Sequence, residues 1–286
     1  MSQPLYFILT GDWHITNDSN NRNNKNVKHR LKLIIDEMPN DVPFIIGAAG
    51  DLTNNGMPLE YTNLTDIVEE VGVNGNIFSV LGNHDITKLG NLIICSGFDE
   101  AAFQHGRKFC DEVISETVFN LGGEVHNHDL EHFEDSKLKK LMRVVLMHEH
   151  KVVFLLLDSN VTEDDDASFA RGEIGTKQMK LIEQYLQARQ LVGYTKVLML
   201  HHHPIFNDFF QLLKDSDEFL KLWWGVPNTL VAFAHKHHRN MWSNGNDSFV
   251  ASAHDLKSKQ TIKVQVFCLK DGKVFFDKYL ELPPAP

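Results

Sequence analysis

Side chains that bind metals recur along this chain at the points where apolar runs end. Five such runs are followed closely by carboxylate, amide or imidazole groups: Asp12 and His14; Asp51; Asn83, His84 and Asp85; His201, His202 and His203; His235 and His237. Carboxylates, an amide and imidazoles together form a ligand set that suits Mn, Fe, Zn or Ni. The chain of 286 residues also has sixteen histidines, and neutral imidazole is the commonest metal ligand among side chains. The pattern predicts a metal site, provided that the fold brings the five segments together.

The apolar runs have the composition of buried strands. We predict strands over residues 5–10, 43–49, 77–81, 196–200 and 229–234, and helical periodicity separates several of them, as over 58–71 and 175–192. Continuous apolar strands that alternate with helices are typical of a parallel sheet covered on both faces. Polar groups that follow such strands meet in a crevice at the carboxyl edge of the sheet. Residues 261–268 and 273–282 are expected to form antiparallel edge strands.

The spacing within the segments is compatible with two metal ions. Asp12 and His14 are two residues apart, as are His235 and His237, so an extended backbone places each pair on one face. Two ions about 3.5–4 Å apart that share a carboxylate can clamp the attacking and leaving oxygens of a phosphoryl displacement. A water molecule between them would be acidified toward a pKa of roughly 7. This chemistry is hydrolysis of a phosphate ester.

The five segments, in this order from Gly11 to His237, resemble the calcineurin-like metallophosphoesterase superfamily, whose pattern is D-x-H, GD, GNH-D/E, H and GH-x-H. The resemblance implies an α/β fold, a four-layer αββα sandwich of two mixed β-sheets, with a dinuclear centre. It implies two divalent or trivalent transition metal ions as cofactors. One ion would be bound by Asp12, His14 and His237. The other would be bound by Asn83, His202 and His235, with Asp51 bridging both.

The resemblance also implies roles for residues beside the ligands. His84 would protonate the leaving oxygen or stabilise the transition state, and Asp85 would orient it. In relatives with a His-His-Pro sequence the ligand lies two residues before the proline, which selects His202 from the triplet 201–203 and leaves His203 to face the substrate. The family usually has glycine where this chain has Ala234. A left-handed backbone there would be strained by alanine, although we expect the site to survive.

Within the superfamily, the stretches 50–53, 157–159, 172–178 and 200–204 look most like class III cyclic nucleotide phosphodiesterases and glycerophosphodiesterases. This implies a metal-dependent phosphodiesterase acting on a small phosphodiester. Two alternatives stay open. The same kind of site serves a phosphomonoesterase, including a protein phosphatase, and the chain could instead be a catalytically silent binding scaffold.

Composition sets limits on partners and location. The net charge of −10 argues against a binder of duplex nucleic acid or of an anionic membrane surface. No apolar run is long enough to span a bilayer, and residues 5–9 are interpreted as a first strand rather than a signal peptide. Three widely spaced cysteines favour a reducing compartment, so we expect a cytoplasmic protein.

The domain organisation is expected to be a single domain, 1–286, with an insertion around 86–140, where the periodicity loosens. The histidines at 126, 128, 132, 148 and 150 could add a metal site, but exposed strand or loop positions are favoured for them. The sequence leaves the oligomeric state open.

Overall fold

A computed structural model describes residues 3–39, 41–86, 99–131, 139–160, 171–205, 213–245 and 247–286. The strands over these residues are β1 (Leu5–Thr10), β2 (Phe44–Ala49), β3 (Ile77–Val80), β4 (Glu124–Glu131), β5 (Lys139–Met147), β6 (Val152–Leu156), β7 (Thr195–Met199), β8 (Thr229–Phe233), β9 (Asn240–Ser243), β10 (Phe249–Ser252), β11 (Ile262–Lys270) and β12 (Lys273–Leu282). The helices are α1 (Arg22–Glu37), α2 (Pro58–Val71), α3 (Asn83–Ile86), α4 (Glu100–Leu121), α5 (Thr176–Gln187) and α6 (Ser216–Trp223). Short 3₁₀ turns cover Asn74–Asn76 and Arg189–Leu191.

The strands form two mixed sheets. One has five strands in the order β12-β11-β1-β2-β3, and the other has seven in the order β4-β5-β6-β7-β8-β10-β9. The central pairs β1–β2, β2–β3, β6–β7, β7–β8 and β8–β10 are parallel, whereas the outer pairs are antiparallel. The carboxyl ends of the parallel strands therefore lie together in each sheet, at the edge where we expect the site.

The sheets pack face to face, with helices outside. The ring of Phe154 in β6 lies 5.9 Å from Phe7 in β1 and 4.9 Å from Phe78 in β3, which joins the two sheets through one apolar core. Gly47 in β2 is required by this packing, since an added Cβ would lie 2.3 Å from the Phe7 ring. Apolar residues of α1, α2 and α4 belong to the same core, and those of α5 and α6 cover the outer face of the seven-stranded sheet. The four-layer αββα sandwich of two mixed sheets is confirmed.

Most of the predicted elements are present within a residue or two, and the differences lie toward the ends of the sheets. β11 is antiparallel, as expected, but it lies inside its sheet between β1 and β12. The strands β9 and β10 were not predicted from their short, mixed sequences. The stretch expected as an insertion, 86–140, contributes α4, which packs on β3, and the edge strand β4; residues 87–98 and 132–138 of it lie outside the described residues. Among the described helices, none has the length and apolarity needed to cross a bilayer.

Candidate metal centre

The structure brings side chains from all five predicted segments into overlapping groups of atoms that could bind a metal. Asn83 lies beside these groups, with its Oδ1 3.1 Å from His201 Nε2. Within each group the ligand atoms lie within 4.8 Å of one another. The groups are Asp12, His14 and His237; His201, His202 and His235; Asp12, Asp51 and His201; and His14, Asp51 and His84. Asp12 and Asp51 belong to more than one group, so the set describes one continuous centre rather than separate sites.

Backbone hydrogen bonds carry the strand pairing past the ends of β1 and β2 and fix the loops there. The amide of Asp12 donates to Gly50 O at 3.0 Å, and the amide of His14 donates to Asp51 O at 2.9 Å. Two further bonds join the sheets at this edge. The Asp12 Oδ1 accepts the amide of His235 at 3.2 Å, and the His201 Nδ1 lies 2.9 Å from Ala49 O. The centre therefore rests on rigid backbone from both sheets.

Five of the residues in these groups have a left-handed backbone, which side chains other than glycine rarely adopt. Their φ angles are +50° for Asp12, +46° for His14, +51° for Asp51, +75° for His235 and +57° for His237. Such conformations cost of order 1–3 kcal/mol each and persist where surrounding structure enforces them, commonly at functional sites. Ala234 is not in this region, so the glycine that the family usually has there is not required for backbone conformation. The side chain of Ala234 does restrict its neighbour, because an added Cβ on Gly11 would lie 2.5 Å from the Ala234 Cβ. Glycine is therefore needed at Gly11.

Gly82 makes room for the central carboxylate. An added Cβ would lie 2.2 Å from Asp51 Oδ1 and 2.4 Å from Asp51 N. Gly50 combines a φ of +84° with a Cβ position only 2.7 Å from His201 Nδ1. Glycine is needed at Gly82 because backbone and carboxylate approach closely, and at Gly50 because both the turn and the space demand it.

Two members of the group of Asp12, His14 and His237 are buried, and several of their polar atoms make no hydrogen bond, while His237 is partly exposed. Asp12 is fully buried and His14 is 2% exposed. Asp12 Oδ2 and both ring nitrogens of His14 make no hydrogen bond. His237 Nε2 lies 3.6 Å from Asp12 Oδ1, and His14 Nε2 lies 3.6 Å from Asp51 Oδ2. Buried polar atoms are nearly always paired. These unpaired atoms are therefore suited to donate lone pairs to a metal ion.

Around His201, several lone pairs converge on one point. Its Nδ1 faces the Ala49 carbonyl, which can only accept, so Nδ1 carries the proton and donates it. Its Nε2 lies 3.1 Å from Asn83 Oδ1, 3.4 Å from Asp51 Oδ1 and 3.0 Å from His235 Nδ1. A cation at this point would satisfy all of them, and the donor set of one amide, one carboxylate and imidazoles fits a transition metal ion.

Electrostatics at the centre agree with a cation-binding role. Burial raises the pKa of Asp12 to about 8. The charge of His201 lowers this pKa, whereas the charge of Asp51 raises it further. Burial would also raise the pKa of Asp51, but His201 and then His84 hold it well below its ordinary value. Burial lowers the pKa of His201, yet the Asp51 carboxylate outweighs this and raises it to about 9. A buried carboxylate is stable in its charged form only beside a positive charge, which a bound cation would supply to Asp12 and Asp51.

The remaining histidines of the triplet lie in different surroundings. His202 Nδ1 lies 2.9 Å from Ser159 Oγ, and its ring shares a group with His201 and His235. His203 belongs to none of the groups among the described residues. Its Nδ1 accepts the amide of Ile205 at 3.1 Å, and its ring packs 4.4 Å from Phe233. Sequence reasoning selected His202 as the ligand, and the structure also places His201 beside Asp51 and Asn83, at 3.4 and 3.1 Å.

His84 is the most exposed residue of its segment, and its contacts differ from those that we predicted. Its amide donates to Asp51 Oδ1 at 3.0 Å, and its Nδ1 lies 2.8 Å from the carbonyl oxygen of Asn54. The Asp85 carboxylate accepts instead from the amides of Leu52, Thr53 and Gly82 at 2.8–3.1 Å. Asp85 therefore holds the loop that carries Asp51, while the Asn54 carbonyl orients the imidazole.

The histidines between 126 and 150 lie away from this centre. His128 and His148 pair with the hydroxyls of Tyr185 and Tyr194, and His150 Nδ1 lies 3.1 Å from Gln3 O. His126 is about half exposed beside Glu124, and His132 lies outside the described residues. The described members belong to none of the ligand groups.

Comparisons with known proteins give one family and several similar folds. A family model described as calcineurin-like phosphoesterase matches residues 5–256. A search of curated proteins found no match. A dimetal phosphatase from Danio rerio is similar with a TM-score of 0.60 and 9% identity, over 98% of this chain and 99% of that chain. TT1561 of Thermus thermophilus has a TM-score of 0.50 and 14% identity, over 99% and 100%. A 5′-nucleotidase from Candida albicans has a TM-score of 0.50 and 10% identity, over 99% of this chain and 52% of that one. At such identities the likeness to these structures concerns the fold alone.

Proposed function

Because the chain belongs to the calcineurin-like phosphoesterase family, we propose that it hydrolyses a small phosphodiester, of the cyclic nucleotide or glycerophosphodiester type, with two metal ions. The family membership itself implies a phosphoric ester hydrolase. The observation that supports the dinuclear centre is the position of Asp51, whose two carboxylate oxygens face different imidazoles. Oδ2 lies 3.6 Å from His14 Nε2, and Oδ1 lies 3.4 Å from His201 Nε2.

In this proposal Asp12, His14 and His237 would hold one ion, and Asp51 would contribute to both metal positions. Asn83, His235 and a histidine of the triplet would hold the second, and the contacts of His201 with Asp51 and Asn83 favour His201. His202 belongs to the same group of candidate ligand atoms as His201 and His235 and would add to this set. When bound, the two ions would activate water and neutralise charge on the phosphoryl group.

The chain's own groups hold the reacting atoms and move one proton. Asp51 is fixed by the amide of His84 and by the space at Gly82. His84 donates its Nδ1 proton to the Asn54 carbonyl, which leaves Nε2 directed away from that bond. In its protonated form His84 can give the Nε2 proton to the leaving oxygen. The His84 ring lies 4.7 Å from that of His14, so this proton is beside the first ion's ligands.

The diester preference is supported by the four stretches that resemble class III enzymes, two of which form one network. Gln178 Oε1 accepts the amide of Asp158 at 3.1 Å, and its Nε2 donates to Asp158 O and Ile174 O at 2.8 and 3.0 Å. This network fixes Ser159 beside His202. A silent scaffold is disfavoured because the candidate ligand set is complete, whereas a chain that had lost its activity would be expected to lose ligands first.

The experiment is a matrix of metals against ester classes. The purified protein is stripped with a chelator, reloaded with Mn, Fe, Zn or Ni in turn, and assayed on bis-p-nitrophenyl phosphate, p-nitrophenyl phosphate, cyclic nucleotides and glycerophosphocholine. We expect metal-dependent turnover with a higher kcat/KM for diesters. Turnover confined to p-nitrophenyl phosphate would replace the diesterase proposal with a phosphomonoesterase. Two bound ions without turnover of any ester would favour the binding scaffold.

A further inference from the structure

The segment that follows β10 is held against the metal centre. Asp255 forms a parallel bridge with Gly11, and the amide of Leu256 donates to Gly11 O at 3.3 Å. Gly11 directly precedes Asp12, so the next residue of this segment, Lys257, lies beside the first group of ligands. Lys257 is absent from the ligand pattern of the sequence, and nothing in the proposed reaction uses it.

Two fully buried side chains of α1 fix this segment. Asn26 Nδ2 donates to Lys257 O at 3.0 Å and to Ser258 O at 2.9 Å. Arg30 donates to Leu256 O at 2.5 Å and also bonds Gln260 O. Burying a guanidinium and an amide to hold one loop is costly unless every bond is made. The backbone of Lys257 is therefore fixed, and its side chain starts from a set position.

The Lys257 side chain is partly buried and acts electrostatically on the centre. Burial lowers the pKa of its ammonium group, and the charges of Asp12, Asp51 and Asp255 oppose this. The ammonium in turn contributes to the lowered pKa of His14 and of His237, in both cases after burial. The segment itself lies against this side of the centre, since Asp255 Oδ2 is 3.9 Å from His237 Nδ1 and Asp255 pairs with Gly11. The Lys257 ammonium group therefore adds positive charge to the side formed by Asp12, His14 and His237.

That charge has a different role once the metals are bound. Two cations would engage Asp12 and Asp51, and Asp255 would then be the carboxylate left to Lys257 among its three partners. A third cation beside two metal ions is unfavourable unless an anion joins them. The anion that a phosphoesterase brings to this place is the phosphoryl group. We propose that Lys257 binds a non-bridging oxygen of a doubly charged phosphate at the centre, such as inorganic phosphate or a phosphomonoester, and so adds affinity for these anions beside the proposed diester substrate.

The same position lets Lys257 distinguish phosphomonoesters from phosphodiesters, an inference that rests on the proposed phosphoesterase function. A phosphomonoester has a second pKa of about 6 and is mostly a dianion at neutral pH. Two of its three charged oxygens can face the metals while the third faces Lys257. In a diester that third position is an ester oxygen without charge, so the ammonium gains much less.

The test compares Lys257→Met with Lys257→Arg and with Lys259→Met, an exposed lysine of the same loop. Metal content is measured by elemental analysis. Binding of inorganic phosphate to the metal-loaded proteins is measured by calorimetry, which does not depend on turnover. For Lys257→Met we expect two ions per chain, and a phosphate Kd raised about 10- to 100-fold, the range of a charge-assisted hydrogen bond. We expect kcat/KM for p-nitrophenyl phosphate to fall by a similar factor, with less than a threefold change for bis-p-nitrophenyl phosphate. Lys257→Arg should recover part of the loss, and Lys259→Met should match the wild type.

Each contrary outcome has a distinct meaning. An unchanged phosphate Kd in Lys257→Met would overturn the proposal and leave Lys257 as a charge partner of Asp255. Equal losses on both esters together with lost metal would also overturn it, in favour of a role in holding the centre. If wild-type protein bound phosphate through Lys257 but hydrolysed neither ester, the proposed function would fail while the phosphate subsite stood.

Discussion

Replacing Gly82 by alanine tests whether the position of Asp51 controls the metal centre. The added methyl group would lie 2.2 Å from Asp51 Oδ1, whereas contacts of Cβ atoms stay above 3.0 Å. Gly82 does not have a left-handed backbone, so the conflict is one of space. The added methyl group would also lie 2.4 Å from the main-chain nitrogen of Asp51, so a rotation of the carboxylate alone cannot relieve the conflict. Asp51 must therefore move by about 1 Å.

We expect two measurable effects of Gly82→Ala. A displacement of about 1 Å at a catalytic centre costs roughly 10²-fold in rate, so kcat/KM for bis-p-nitrophenyl phosphate should fall by that order, and bound metal should fall below two ions per chain. Overpacking typically costs about 1–3 kcal/mol, which urea unfolding of the metal-free protein would detect. Gly225→Ala is the matched control, because an added Cβ there meets nothing within 4 Å. Activity and metal content within twofold of wild type in Gly82→Ala would refute the reasoning.

Three further substitutions separate the roles within the centre. Asp51→Asn should abolish turnover and lower the metal content, because a neutral amide bridges two cations poorly; full metal retention with normal turnover would show that Asp51 is not the bridge. His201→Ala should lose one metal ion per chain, as measured by elemental analysis. Loss of an ion in His202→Ala but not in His201→Ala would show that His202, the residue selected from the sequence, is the ligand. His84→Ala should keep both ions and slow an alkyl diester by about 10²–10⁴-fold. It should slow an aryl diester much less, because an aryl oxide leaves without a proton, and equal losses on both would exclude the acid role.

The strands and the ligand segments could be predicted because each is identified by a short local pattern of residues. β1 (Leu5–Thr10) and α2 (Pro58–Val71) match the predicted bounds, since each has an apolar pattern that ends at a polar or breaker residue. The candidate metal ligands follow strands, and parallel strands bring their carboxyl ends together. The short strands β9 and β10 were missed because their burial depends on neighbours distant in sequence.

The details of the centre depend on contacts that no local pattern encodes. The orientation of the His201 ring depends on the Ala49 carbonyl, which lies 152 residues away in the chain. The contacts of Asp85 and His84 likewise depend on the path of the loop after β2. Lys257 is placed by buried side chains of α1, and a lone lysine between Leu256 and Ser258 carries no such signal in the sequence.

The left-handed backbone at five residues of the centre makes the stability of the folded protein depend on bound metal. At about 1 kcal/mol or more for each residue, the conformations that aim these side chains cost several kcal/mol of the 5–15 kcal/mol that usually stabilises a domain. Metal binding to the folded state returns roughly 2.7 kcal/mol for each site when free metal stands at a hundred times its Kd. The metal-free chain should therefore unfold and be cut by proteases sooner than the loaded chain, which chelation during pulse proteolysis would measure. In a cell depleted of metal, we expect the amount of this protein to fall along with its activity, because unfolded chains are removed.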